Sequence, residues 1–153
     1  MGKSYSQRQM VKPVLVPGFE FPLKDEIDVE RLESAVQMCD STRDLYIRFL
    51  SCMKPPKKDL VECFGLFFAD SSMVRYNWSG ISGHRFPKVA MMGYSIFTDC
   101  MLEAWSDQGV TMEMLQIKIK RAIEKINNRR NVQQSKLRRK ARLSNIDAEC
   151  SDI

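Results

Sequence analysis

Between Val29 and Ile126 apolar residues recur at steps of three and four, the period of an α-helix with one face turned to a core. Val29, Leu32, Val36 and Cys39 make the first such face, and Asp28 stands where an N-cap belongs. A second helix starts at Ser41, with Asp44 three residues on in a near capping-box position and Leu45, Phe49, Leu50 and Met53 facing inward. Lys54-Pro55-Pro56 ends it, because proline lacks the amide proton and restricts the residue before it. Asp59 opens a third helix whose face of Leu60, Cys63, Phe64, Phe67 and Phe68 is core. A turn of helix over Asp70 to Arg75 follows.

A fourth long helix is expected from Met91 or Gly93 to Trp105. Met92, Ile96, Cys100 and Ala104 form one stripe and Phe97, Met101 and Trp105 lie beside it, so the helix is apolar over a wide arc and belongs at the centre. Gly109 closes the connection and Thr111 caps a last helix, with Glu113 in its first turn, where a negative charge suits the dipole. Leu115, Ile119, Ala122, Ile123 and Ile126 are its inward stripe. No segment alternates strictly between apolar and polar and no repeat occurs, which predicts no strand. The pattern predicts an all-α fold: a single compact domain of five to six helices with a long basic C-terminal helix. Residues 1–22, broken by Pro13, Pro17, Gly18 and Pro22, read as a flexible lead-in, although Val14, Leu15, Val16, Phe19 and Phe21 offer apolar surface to the domain. Residues 23–130 read as the helical domain, and 131–153 as a basic, partly disordered tail.

Length and composition agree with one domain. The 153 residues are enough for one hydrophobic core, and 44% apolar content excludes a wholly disordered chain. Charge changes the picture more. The net charge is +5, but Lys118 to Arg142 holds eleven Lys or Arg against the single acid Glu124, which leaves the rest of the chain at −5. A basic segment on an acidic body points to nucleic acid, an anionic surface or an acidic protein as partner.

Chemistry-bearing constellations are few. Five cysteines at wide spacing and one histidine give no disulfide framework, and no metal site and no cofactor are expected. The chain has no phosphate loop, no dinucleotide fingerprint, no nucleophile elbow and no paired-histidine zinc motif. His84, the one histidine, has no neighbouring carboxylate to orient it as a base, and no enzyme is expected. The apolar runs are too short to span a membrane, and the polar start of the chain has no signal-peptide core, which places the protein inside the cell.

Two segments stand out as candidate sites. The loop from Asn77 to Lys88 carries Trp78, Phe86, Gly80 and Gly83 with the cations His84, Arg85 and Lys88; it reads either as a ligand- or phosphate-contacting loop or as a long connection pinned by two buried aromatics. On the last helix Lys118, Arg121, Lys125 and Arg129 follow helical steps opposite the apolar stripe, flanked by Lys120 and Arg130. Such a stripe either neutralises several phosphates or is a solvated face. Further on, Lys136, Arg138, Arg139, Lys140 and Arg142 form a cluster of the type used in nuclear import.

Leu23, Arg31-Leu32-Glu33, Leu45 to Leu50, Leu66-Phe67-Phe68-Ala69-Asp70, Asn77-Trp78-Ser79-Gly80, Gly83, Phe86, Ala122-Ile123 and Arg129-Arg130 occur in an order that resembles an uncharacterised helical domain common in arthropod proteins. That domain typically lies C-terminal to DNA-binding modules of the THAP or MADF type, and the resemblance covers about residues 21–130. The same stretch is more remotely similar to BEN domains, five-helix modules of chromatin proteins. That likeness implies a BEN-like fold and DNA-facing positions at His84, Arg85, Lys88, Lys118, Arg121, Lys125, Arg129 and Arg130. The resulting expectation is a nuclear module of a transcription regulator that binds double-stranded DNA or chromatin, with other DNA-binding or BEN-type proteins as partners and a homo- or hetero-oligomer possible in principle. The alternative is a non-enzymatic adaptor that bridges DNA-binding proteins through the lead-in or the first two helices.

Overall fold

The computed structural model describes residues 14–82 and 87–151, with side chains of the last helix described to residue 145. The helical periodicities fold into α1 (Glu26–Met38), α2 (Asp40–Met53), α3 (Leu60–Phe67), α4 (Asp99–Trp105) and α5 (Met112–Ser151), with short 3₁₀ turns at Asp70–Met73, Met91–Gly93 and Ser106–Gln108. The domain is all-α in character, as the spacing predicts.

Local chemistry sets the helix ends. Asp25, rather than Asp28, caps α1: its side chain accepts from the Asp28 amide at 2.9 Å, and Asp28 serves the first turn as a favourable negative charge. Cys39, expected on the buried face of α1, is instead the extended residue between α1 and α2 and is exposed. Asp59 caps α3 through the Val61 amide at 3.1 Å, as its position predicts.

The core is aromatic. Phe64, Phe67, Phe68, Phe97, Tyr46, Tyr76 and Trp105 are almost wholly buried. Their polar handles are satisfied: the Tyr46 hydroxyl donates to the Ile96 carbonyl at 2.9 Å and Trp105 Nε1 to the Leu50 carbonyl at 3.1 Å. Both bonds tie α2 to the segment around α4. The expected lead-in contributes to this core. Pro17-Gly18 makes a turn in which the Phe19 amide reaches the Val16 carbonyl at 3.1 Å, and Gly18 takes φ +87° there. Val16 is buried and Phe21 stacks on Phe49 at 4.1 Å. Leu23 then bridges to the end of α3, donating to Phe67 O at 2.9 Å and accepting from Ala69 N at 2.8 Å.

Beyond these helix ends, the structure makes two larger corrections to the sequence reading. The expected helix from Met91 or Gly93 to Trp105 is broken, and only Asp99–Trp105 is α-helical. The buried carboxylate of Glu33 on α1 accepts from the Ser95 and Ile96 amides, each at 3.0 Å, so this backbone bonds across to α1 instead of along its own axis. With the turn rotated, Met91 is buried and Met92 exposed, the reverse of the expected stripe, and Met53 is exposed at the end of α2.

The second correction is a pair of strands. β1 (Tyr76–Asn77) and β2 (Val89–Ala90) run parallel, Tyr76 opposite Val89 and Asn77 opposite Ala90. Two residues per strand are too few for a visible alternation. The Asn77-Trp78-Ser79-Gly80 turn makes the pairing possible. Asn77 Oδ1 accepts from the Gly80 amide at 2.6 Å, and its Nδ2 donates to the Ile81 carbonyl at 2.8 Å. Gly80 takes φ +77°, and a Cβ there would meet Ala90 Cβ at 3.1 Å. Trp78 is the buried anchor of this turn.

Candidate nucleic-acid interface

The first half of α5 is half of a core. Leu115, Ile119, Ala122, Ile123 and Ile126 are buried, at the spacing the sequence predicts. Two of the basic residues opposite this stripe are used to fasten the helix. Lys118 Nζ reaches Asp59 Oδ2 at 3.0 Å, and Arg129 binds both oxygens of Asp70 at 2.7 and 2.8 Å. The carboxylates respond. Asp59 is held below the ordinary carboxylate value by the Val61 amide and by Lys118, and Asp70 by the Arg129 guanidinium. The predicted stripe therefore divides. Lys118 and Arg129 dock α5 on the body, while Arg121 and Lys125, like the flanking Lys120, are exposed.

Past Ile126 the helix leaves the core. Every side chain from residue 131 to 145 is exposed. At about 1.5 Å per residue, residues 127–151 extend roughly 37 Å beyond the last core contact. No acid occurs between Lys125 and Ile146. Lys136, Arg139 and Lys140 share one side at helical steps, Arg138 and Arg142 another, so the projecting rod is basic around its circumference.

The loop candidate falls partly within the described residues. His84 and Arg85, with Gly83 and Phe86, lie outside the described residues. Lys88 is half-buried, and its Nζ donates to the Val74 carbonyl at 2.5 Å. Burial, then the neighbouring Arg130, pushes the Lys88 ammonium below its ordinary value. Lys88 and Arg130, predicted from separate segments, meet in one shallow cleft of about 320 Å³, lined also by Val74, Pro87 and Arg75. Arg75 is the residue sequence reasoning missed here. The register of β1 against β2 brings it beside Lys88, since the Val89 amide donates to the Arg75 carbonyl at 2.7 Å, and no local pattern announces that pairing. Arg75 also pairs with Glu26 at 3.2 Å. Three cations and no carboxylate line this cleft, an arrangement suited to a phosphate or another anion.

Among the described residues no helix is long and apolar enough to cross a membrane, and no three His, Cys, Asp or Glu stand close enough to hold a metal ion. No curated protein and no solved structure matches the chain. One family model does, over residues 15–104, and its description is a domain of unknown function, DUF4806.

Proposed function

The chain belongs to the DUF4806 family, and from that premise we propose that it is a nuclear DNA- or chromatin-binding module of a transcription regulator, without enzymatic activity. The observation that supports the reading is the projecting half of α5. Fifteen consecutive exposed residues, 131–145, include five Lys or Arg and no acid. A solvated helix face normally intersperses both signs; a run of one sign on a free-standing helix suits a polyanion.

The family match ends at Ala104, before α5 begins. On this reading the matched residues make most of the body, the first half of α5 completes its core, and the projecting basic half directs that body to DNA. Arg130 joins the rod to the Lys88 cleft, Arg121 and Lys125 carry exposed positive charge further towards the start of α5, and His84 and Arg85 shortly precede Lys88 in the sequence. Lys136, Arg138, Arg139, Lys140 and Arg142 serve a second purpose in this proposal, as a nuclear-import signal. The remote likeness to BEN domains points the same way.

One observation favours the adaptor reading. Ile27, 70% exposed, lines a cleft of about 590 Å³ between the Pro17-Gly18 turn and α1, where an apolar partner segment would find surface, and Leu15 just before that turn is 73% exposed. The two readings separate on duplex DNA. Titrating the full chain with random-sequence duplex over a salt series should give an affinity that falls steeply with salt. Arg121→Glu with Lys125→Glu, and separately Arg138→Ala, Arg139→Ala and Lys140→Ala together, should each weaken binding at least tenfold while the thermal midpoint stays. Unchanged affinity in both variants sinks the DNA reading and leaves the adaptor.

A further inference from the structure

Lys54 is a buried charge that the fold does not pair. It is only 5% exposed at the end of α2. Its Nζ donates to Gln108 Oε1 at 2.5 Å and lies 5.6 Å from the centroid of the Trp105 ring, while Gln108 Nε2 returns a hydrogen bond to the Lys54 carbonyl at 3.1 Å. Both side-chain partners are neutral, and the ion pairs among the described residues do not include Lys54. A methionine would fill this space without the cost of withdrawing an ammonium from water.

The position of the ammonium gives that cost a purpose. Lys54, Trp105 and Gln108 together wall a cleft of about 240 Å³ between the end of α2, the start of α3 and the first turns of α5. Leu60, Val110 and Leu115 give the cleft an apolar lining, and Lys57 and Lys58 stand exposed at its edge. Its one acid, Asp59, is occupied by Lys118 and by the Val61 amide. The cleft therefore combines apolar walls, an unpaired buried cation and further positive charge outside. Its volume is that of about eight waters, below the usual range for a cofactor or nucleotide pocket.

We infer that this cleft binds an organic carboxylate with an apolar body the size of one aromatic side chain, its carboxylate meeting Lys54 Nζ. The site is distinct from the Lys88–Arg130 anion cleft, since Lys118 at its edge and Arg130 are twelve residues apart on α5, roughly 18 Å; Arg121 of the proposed DNA face lies within one turn of Lys118, so the acid titration is run without DNA. A free acid and the C-terminal carboxylate of a peptide share this chemistry.

The test is NMR titration of the full chain, following the Trp105 indole N–H, with 3-phenylpropionate as the free acid and N-acetyl-phenylalanine as the peptide terminus. N-acetyl-phenylalaninamide is the neutral control. A ligand of this size is expected to bind at about millimolar affinity. Binding by either acid and not by the amide supports the site, and the stronger acid identifies the source. Lys54→Met should keep the fold and weaken acid binding at least tenfold. Gln108→Glu, which places a carboxylate on Lys54 Nζ within the protein, should abolish binding and provides a second folded variant. Equal binding of the amide, no shift with either acid at about ten times the expected constant, or undiminished binding in a folded Lys54→Met protein overturns the inference.

Discussion

Single side chains decide where the backbone of this domain turns. Glu33 is 8% exposed and accepts three hydrogen bonds, from the Ser95 and Ile96 amides at 3.0 Å and from Gln37 Nε2 at 2.5 Å. Glu30, one turn earlier, receives the hydroxyls of Tyr76 at 2.7 Å and Tyr94 at 2.5 Å, and burial together with that carboxylate pushes both phenols well above their ordinary value. Hydrogen bonds to a charged group contribute about 1.5–3 kcal/mol each, and a buried group left unmatched costs a similar amount. Glu33→Gln keeps the shape but loses the charge and places a donor amide where the carboxylate accepted. It should destabilise the fold by about 2 kcal/mol, lowering the midpoint in denaturant with the slope unchanged. A midpoint equal to the parent's would show that the 94–98 turn holds without it. In the sequence Glu33 follows a run of acids, Asp25, Glu26, Asp28 and Glu30, and nothing local sets it apart from them. Its partners are about 62 residues away, and no local rule reaches that far.

At the scale of the element, α5 is two helices in one. The half up to Ile126 is held by an apolar stripe, and the ion pairs to Asp59 and Asp70 fix its rotation on the body. Both carboxyls are lowered in the fold, so their contribution to stability is present above the ordinary carboxylate value of 3.8 and is lost as pH falls through their lower folded values. The pairs are partly exposed, with side chains between 32% and 53% accessible, which limits each to roughly 0.2–1 kcal/mol. Thermal midpoints recorded between pH 5 and pH 2 should therefore fall slightly less in Asp70→Asn than in the parent. An identical acid profile would mean that the Arg129 pair contributes nothing. The apolar stripe of α5 was legible in the sequence because it is periodic; the run of the helix on to Ser151 was not, because past Ile126 no apolar period continues. The division of its cations into docking and free residues was not, because Asp59 and Asp70 lie about 59 residues from their partners.

For the whole molecule, the consequence is a separation of stability from charge. The core lies within residues 16–126, and the described side chains beyond 130 touch none of it. A chain ending at Arg130 should keep its thermal midpoint and its far-ultraviolet signal per folded residue, apart from the lost rod. Its affinity for duplex DNA should drop, and the slope of log affinity against log salt should shrink by about 0.9 for each phosphate contact removed. A truncated chain that binds DNA with the full slope would move the interface to the Lys88–Arg130–Arg75 cleft. A truncated chain that melts early would show that the rod packs on the domain in solution.

The all-helical fold, most of the inward faces, the aromatic core and the apolar stripe of the last helix were determined by the sequence, because each is a local, periodic property in which every third or fourth residue repeats the same instruction. Tertiary structure alone decided the remainder. It broke the helix before α4 by offering Glu33 as a better partner for two amides, and it paired β1 with β2 through a close approach that Gly80 permits. It withdrew Lys118 and Arg129 into ion pairs, gathered Arg75, Lys88 and Arg130 in one cleft, and left Lys54 buried without an anion. These depend on which distant residue arrives within hydrogen-bonding or ion-pairing reach, about 3 Å, and that distance is set only when the core closes.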